Sequence, residues 1–382
     1  MTQTVDGFVS IAGSIGVKEG AHDFALLGAT VPGVTSAAVF TRSRFAGPSV
    51  RLSRESDLSH LRGAVIVSGN ANVATGEQGL ADARELQQWA ADVLGVEPQT
   101  VLVASTGVIG VPYPVDVMRA GVAALPPVGP ADLDAVATAI MTTDTHSKVV
   151  TRTVGAANIV GIAKGVGMIE PNMATMLSFI TTDAEIEEAT LDKIFRRVVD
   201  RTYNALSIDT DTSTSDTAAI FASGVAGPVD VDAFETALSE VCTELVKMIA
   251  GDGEGASKVI AVQVTGARDD AQAKLVAKAI VNSPLVKTAV HGADPNWGRV
   301  AMAIGKCQDE TDIDEENVRI GFGGLETYPT LPDVTSRARL EEYLRSNEVV
   351  IEVDLGIDAG AFTAYGCDLT EGYIRINADY TT

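Results

Sequence analysis

With 382 residues, 46% of them hydrophobic and 21% charged, and a mean hydropathy of +0.18, the chain can bury a large core, which excludes a disordered protein. No apolar run reaches the roughly 18 to 20 residues of a membrane-spanning helix. A formal charge of −23 repels phosphate backbones and anionic lipid surfaces, so neither nucleic acid nor membrane is expected as a partner.

Residues 1–14 lack both a basic segment and a continuous apolar stretch, so no secretory signal is expected and the cytoplasm is the default location. Residues 7–50 alternate short apolar runs with Gly, Ser and Pro, which predicts strands joined by turns. A buried strand at 63–68, a polar turn at 69–72 and a helix at 77–94 form one strand, loop, helix unit. A second unit follows, with a strand at 100–104, a loop at 105–110 containing Thr106 and Gly107, and a helix at 115–124. Two such units predict an α/β architecture with functional loops at strand ends.

A helix at 132–141 ends in the hydroxyl-rich Thr142-Thr143-Asp144-Thr145, and 147–162 alternates like paired strands leading to Lys164. Beyond this, a strand at 177–182 precedes a helix at 185–204 whose first turn is acidic and whose later turns are basic, the order a helix dipole favours. Hydroxyls and carboxylates crowd residues 207–217 without the spacing or terminal Glu of a calcium loop, which predicts a polar turn beside a pocket. A long helix at 231–250 runs into the glycine-rich turn 251–256, which presents the carboxylate of Glu254. The α/β rhythm continues with a strand at 259–264 and a helix at 269–281. A turn-rich loop follows at 291–299, then strands at 318–321 and 349–355 around a helix at 338–346, and a short aromatic segment at 360–367. No low-complexity linker or internal repeat divides the chain. Cys242, Cys307 and Cys367 are widely spaced, and His22, His60, His146 and His291 are unpaired at helical spacing. The thiols therefore read as reduced and buried, and neither a metal site nor a cofactor is expected.

The most unusual stretch is 164–177, KGVGMIEPNMATML, where a glycine-rich, proline-bearing loop runs into an apolar segment through Ala174-Thr175. Local pattern alone makes Thr175 a satisfied core hydroxyl. The alternative is a nucleophile. A threonine hydroxyl needs a base, and its own α-amine can serve once the Ala174–Thr175 bond is broken by attack of that hydroxyl on the Ala174 carbonyl. Such an amine has a pKa of about 7.7 to 8.0, suited to general-base work at neutral pH. Acyl transfer also needs donors aimed at an oxyanion, for which Thr106 and Gly107 offer a hydroxyl and a backbone N–H. An amino-acid substrate would use Lys164 against its carboxylate and Glu254 against a cationic end; otherwise these are a solvated lysine and a turn-exposed glutamate. Residues 294–299, DPNWGR, read as a structural turn.

Six segments, KGVGMIEPNMATML, ASTGVIG (104–110), MTTDT (141–145), GDGEGA (251–256), DPNWGR and NADYTT (377–382), together resemble the ornithine acetyltransferase family, the bifunctional arginine-biosynthesis proteins. The resemblance spans nearly the whole chain in the family's order. It implies a self-cleaving α/β sandwich of the N-terminal-nucleophile type, in two lobes with a smaller one at 260–382. It also implies scission at Ala174–Thr175 into an α-chain 1–174 and a β-chain 175–382, with Thr175 the nucleophile. Thr106 and Gly107 match the oxyanion-hole pair, and Thr142, Lys164, Thr175, Glu254, Asn377 and Thr382 match substrate-binding positions. The implied reaction is ping-pong transfer of acetyl from N2-acetyl-L-ornithine to L-glutamate, without a cofactor, by an α2β2 or larger assembly. A hydrolase of the related self-cleaving aminopeptidase fold is the rival enzyme. An uncleaved binding protein is the reading from another class. Glu170, where many members carry His, and the variant segment 41–50 resemble the branch found in clavulanic acid clusters.

Overall fold

Strands such as Phe24–Ala29 and Gly63–Asn70 bury nearly every residue, so both faces of the sheet they share must be covered. The fold does this by layering. A computed structural model of the protein describes residues 4–170 and 176–379. Its first sheet runs, in spatial order, Val101–Val108, Gly63–Asn70, Phe24–Ala29, Phe8–Gly13 and Gly129–Pro130. The first two of these pair in parallel, as expected of consecutive strand, loop, helix units. The second sheet runs Thr35–Phe40, Thr217–Pro228, Leu177–Glu185, Ala157–Lys164 and Lys148–Val154.

Side-chain direction, alternating with period two, sorts the two faces. Ala25, Leu27, Ala64 and Ile66 point from the first sheet into a core shared with Leu177, Phe179, Ala219 and Phe221 of the second. Their neighbours Phe24, Leu26, Val65 and Val67 point outward onto Leu80, Ala83, Leu86 and Ala90 of the helix Gly76–Leu94. On the far side, Ile180, Ala218, Ile220 and Ala222 meet the helices Glu188–Arg201 and Val231–Gly251. The result is a helix, sheet, sheet, helix sandwich. A third, six-stranded sheet at the C-terminal end, built on Val259–Ala267, Glu348–Asp354 and Gly360–Cys367, packs against Asp270–Val281, Pro284–His291 and Trp297–Gly305. It also takes in the short strand Leu206–Ser207.

Several local expectations change. The strand expected to end at 104 continues to Val108, because Gly63–Asn70 extends alongside it and supplies hydrogen-bond partners through Gly107 and Val108. Thr106 and Gly107 are therefore strand residues. Thr217–Pro228 is a twelve-residue strand whose Ala and Gly content hides it from propensity; pairing on both edges makes it one. The loop expected at 291–299 gives way to the helix Trp297–Gly305, capped by Asn296, whose side chain accepts from the Arg299 N–H. The tail forms the helix Glu371–Asp379, which buries none of its side chains and so carries no apolar stripe to read. Among the described residues, no helix is long and apolar enough to cross a membrane.

Candidate active site

Both central sheets present strand ends at one edge of the sandwich, and a cavity of about 450 Å³ opens there. Thr106 and Gly107 enter from the first sheet, Lys164 from the end of Ala157–Lys164 in the second, and Leu177 from the start of the next strand, paired in register with Lys164. Thr142 and Thr143 come from the segment after the helix Leu133–Ala139. Glu254 comes from the glycine turn after Val231–Gly251, and Tyr373 and Asn377 from the last helix. Thus Thr106, Gly107, Thr142, Lys164, Glu254 and Asn377 line one cavity. Ala174, Thr175 and Thr382 lie outside the described residues.

Gly107 has no room for a side chain. Its φ is +128°, and a Cβ there would collide with the carbonyl carbon of Gly69 on the neighbouring strand. Close backbone contact of two glycines therefore sets the direction of this strand end. Glu254 is held from both sides: its Oε1 accepts from Thr143 Oγ1 at 3.0 Å and its Oε2 from Asn377 Nδ2 at 2.9 Å. Its own N–H donates to Val166 O at 2.8 Å, and a Cβ on Gly167 would lie 2.5 Å from Oε2. The two glycine-rich segments interlock only because one of them lacks a side chain where the other brings its carboxylate.

Lys164 Nζ donates to Thr142 Oγ1 at 3.3 Å. Burial pushes its ammonium below the usual lysine range, and Lys148 acts in the same direction, while Asp144, Asp216 and Glu254 oppose the shift. Beneath it lies a closed ionic cluster. Fully buried Lys148 donates to Asp144 Oδ1 at 2.8 Å and Asp252 Oδ2 at 2.7 Å. Asp144 also accepts the N–H groups of Gly165 at 2.8 Å and Thr142 at 3.1 Å, and Asp252 takes the Thr145 N–H at 3.1 Å and its hydroxyl. Burial alone would raise the Asp144 carboxyl, but Lys164, Lys148 and the Gly165 N–H outweigh it and hold it below its usual value. One cluster thus ties together the segments carrying Thr142, Lys164 and Glu254.

Asp209 and residues 211–216 form another part of the cavity wall. Asp209 accepts the N–H groups of Met168 and Ile169 at 2.7 and 2.8 Å, which fixes the 164–170 arm with Met168 at φ +54°. Glu170 then anchors the arm outward: its carboxylate accepts from Asn282 Nδ2 at 2.8 and 2.9 Å and pairs with Lys278 at 3.5 Å. Burial lowers the Lys278 ammonium to about 8 against the pull of Glu170. The sequence reading set the 207–217 run beside a pocket but gave Asp209 no task, and it did not single out Thr143, Lys148, Asp252 or Tyr373. A buried lysine such as Lys148 is legible only once Asp252, 104 positions away, is seen beside it with Asp144. Residues 294–299 lie outside the cavity wall; Trp297 stacks on Tyr328 with ring centroids 4.9 Å apart, and Arg299 donates to Leu285 O at 2.7 Å.

Fold and cavity together define an α/β sandwich with a small-molecule pocket that offers a cation, a carboxylate and hydroxyl or N–H donors at the open ends of its two central sheets. The ArgJ family matches residues 10–382, and the chain belongs to that family. Glutamate N-acetyltransferase Oat2 from Streptomyces clavuligerus is 58% identical over 388 residues, covering 100% of this chain and 98% of that protein. Arginine biosynthesis bifunctional protein ArgJ from Rhodococcoides fascians is 56% identical over 367 residues, covering 95% and 91%. The crystal structure of arginine biosynthesis bifunctional protein ArgJ from Bacillus halodurans superposes with a TM-score of 0.51 at 43% identity, covering 54% of this chain and 100% of that one.

Proposed function

We propose that this chain is an acyltransferase that moves acetyl from N2-acetyl-L-ornithine to L-glutamate through an acetyl ester on Thr175, after breaking its own Ala174–Thr175 bond. The observation that carries this reading is the convergence of Thr106, Gly107, Thr142, Lys164, Glu254 and Asn377 on one cavity whose wall includes Met176, the residue that follows Thr175 in the chain. The relatives' names supply the reaction, glutamate N-acetylation within arginine biosynthesis.

In the first half-reaction the freed α-amine of Thr175 accepts the hydroxyl proton as Oγ attacks the acetyl carbon. Negative charge builds on the acetyl oxygen, where the Thr106 hydroxyl and the Gly107 N–H stabilise it. The C–N bond then breaks, the amine returns the proton to the departing nitrogen, and ornithine leaves. Glutamate repeats the sequence in reverse: its α-amine attacks the ester, loses a proton and carries away the acetyl group. Lys164 pairs with a substrate carboxylate and Glu254 with the ornithine ammonium.

Cytoplasmic residence and an α2β2 or larger assembly belong to the same proposal. Incubation with N-acetylornithine and glutamate should yield ornithine and N-acetylglutamate in equal amounts, and Thr175→Ala should abolish both transfer and chain scission. Free acetate in place of N-acetylglutamate would favour the hydrolase, and an active Thr175→Ala enzyme would remove the nucleophile.

A further inference from the structure

The proposed reaction sets an electrostatic problem that the pocket residues named so far do not solve. Ornithine ends in an ammonium, which Glu254 can pair, but glutamate carries a second carboxylate, which Glu254 repels. Lys164 is committed to one carboxylate. The acceptor therefore needs another cation at the end of the pocket away from Glu254.

Lys18 is not itself among the cavity-lining residues, but it stands directly behind Gly107 and Thr142, which are. The turn that carries it is built on Asp23, a fully buried carboxylate whose Oδ1 accepts the Ile15 N–H at 2.7 Å and whose Oδ2 accepts those of Val17 and Lys18 at 2.7 and 2.9 Å. From there the side chain crosses Gly69, where a Cβ would lie 2.6 Å from Lys18 Cγ and 3.1 Å from Cδ. Gly69 is the residue paired with Gly107 in the first sheet, so the lysine stem lies alongside the proposed oxyanion site. The ammonium donates to Met141 O at 3.0 Å, one residue before Thr142, whose hydroxyl receives Lys164. Further N–H donors remain on that ammonium. Burial lowers its pKa, and Lys164 adds to the effect while Asp23 and Asp144 oppose it, as expected of two neighbouring cations.

We infer that Lys18 is a specificity-determining residue that, beside Lys164, binds the side-chain carboxylate of a dicarboxylic acceptor. Gly69 keeps its path open and Asp23 fixes its backbone. The inference rests on the acetyltransferase reading above, and its test separates the two. Acetyl transfer from N-acetylornithine is measured with L-glutamate and with L-glutamine, which has the same shape without the second charge. The wild type should favour glutamate. Lys18→Met should lower kcat/KM for glutamate about tenfold to hundredfold, chiefly through KM, as expected for loss of a charge-assisted hydrogen bond, and lower it far less for glutamine. Lys18→Arg should restore the preference. Should the methionine variant fail to accumulate, Lys18→Gln makes the same comparison. An unchanged preference, or equal losses with both acceptors, overturns the role of Lys18 while leaving the transferase reading standing. A wild-type enzyme that acetylates neither acceptor overturns both.

Discussion

Glu254 and Lys164 are the cavity-lining charged residues to which we assign substrate recognition, and each is constrained in a way that gives a measurable signature. Thr143 and Asn377 both donate to the Glu254 carboxylate. A glutamine at this position places an amide NH2 against one of those donors and removes the charge proposed to pair with ornithine. Glu254→Gln should therefore raise KM for N-acetylornithine about tenfold to hundredfold, the loss of one charge-assisted contact, while leaving chain scission intact on a denaturing gel. An unaltered KM would remove Glu254 from the site. For Lys164, burial disfavours the charged form, so the ammonium loses its proton below the pH of about 10.4 at which an ordinary lysine does. Binding of a substrate carboxylate should consequently weaken early on the alkaline side. In Lys164→Arg, whose guanidinium stays charged, that limb of the pH profile of kcat/KM should move to higher pH; a limb that stays in place would assign the titration to another group.

At the scale of elements, the cluster around Lys148 joins two neighbouring segments to a third, more than 100 residues further along the chain. The strand Lys148–Val154 supplies the cation, the segment after Leu133–Ala139 supplies Asp144, and the turn after Val231–Gly251 supplies Asp252. Removing the cation leaves two buried carboxylates facing each other, and breaking a buried pair in this way costs about 3–5 kcal/mol. Lys148→Met should lose that much in chemical denaturation, and a loss below about 1 kcal/mol would show that the cluster is solvated or relaxes. The same cluster has an acid limit. Asp144 is held below its usual pKa, so its contribution is fully present above the unfolded value of about 3.9 and is lost as pH falls through the lower folded value.

Over the whole molecule, the order of the second sheet decides what scission at Ala174–Thr175 would leave behind. Thr35–Phe40, Ala157–Lys164 and Lys148–Val154 precede that bond, whereas Leu177–Glu185 and Thr217–Pro228 follow it and lie between them in the sheet. Two strand-to-strand ladders and the shared cores on both faces would therefore cross the cut. Intact-mass measurement should find two chains, 1–174 and 175–382, that elute as one particle in size exclusion and part only in denaturant. Separation under native conditions would contradict the interleaved sheet, and a single uncleaved chain that still transfers acetyl would remove the free-amine base.

The short-range features were legible because they depend on neighbours in the chain. The helix Gly76–Leu94 follows from apolar spacing, the parallel pair of the first sheet from two repeated strand, loop, helix units, and the turn presenting Glu254 from its glycines. The same holds for the residues now found around one cavity, since Thr106, Gly107, Thr142, Lys164, Glu254 and Asn377 each sit in a local motif. What the sequence could not decide depends on contacts across long separations. The strand Thr217–Pro228 exists because two neighbours pair with it, and the extension of Val101–Val108 because an adjacent strand continues. In the ion cluster Lys148 meets Asp252, 104 positions away, and Lys18 passes Gly69, 51 positions away. By itself the sequence determined the elements with strong local periodicity and the chemical groups in its loops; only the tertiary structure decided the remaining elements and which groups meet, because burial and charge act between surfaces that the chain brings together by folding.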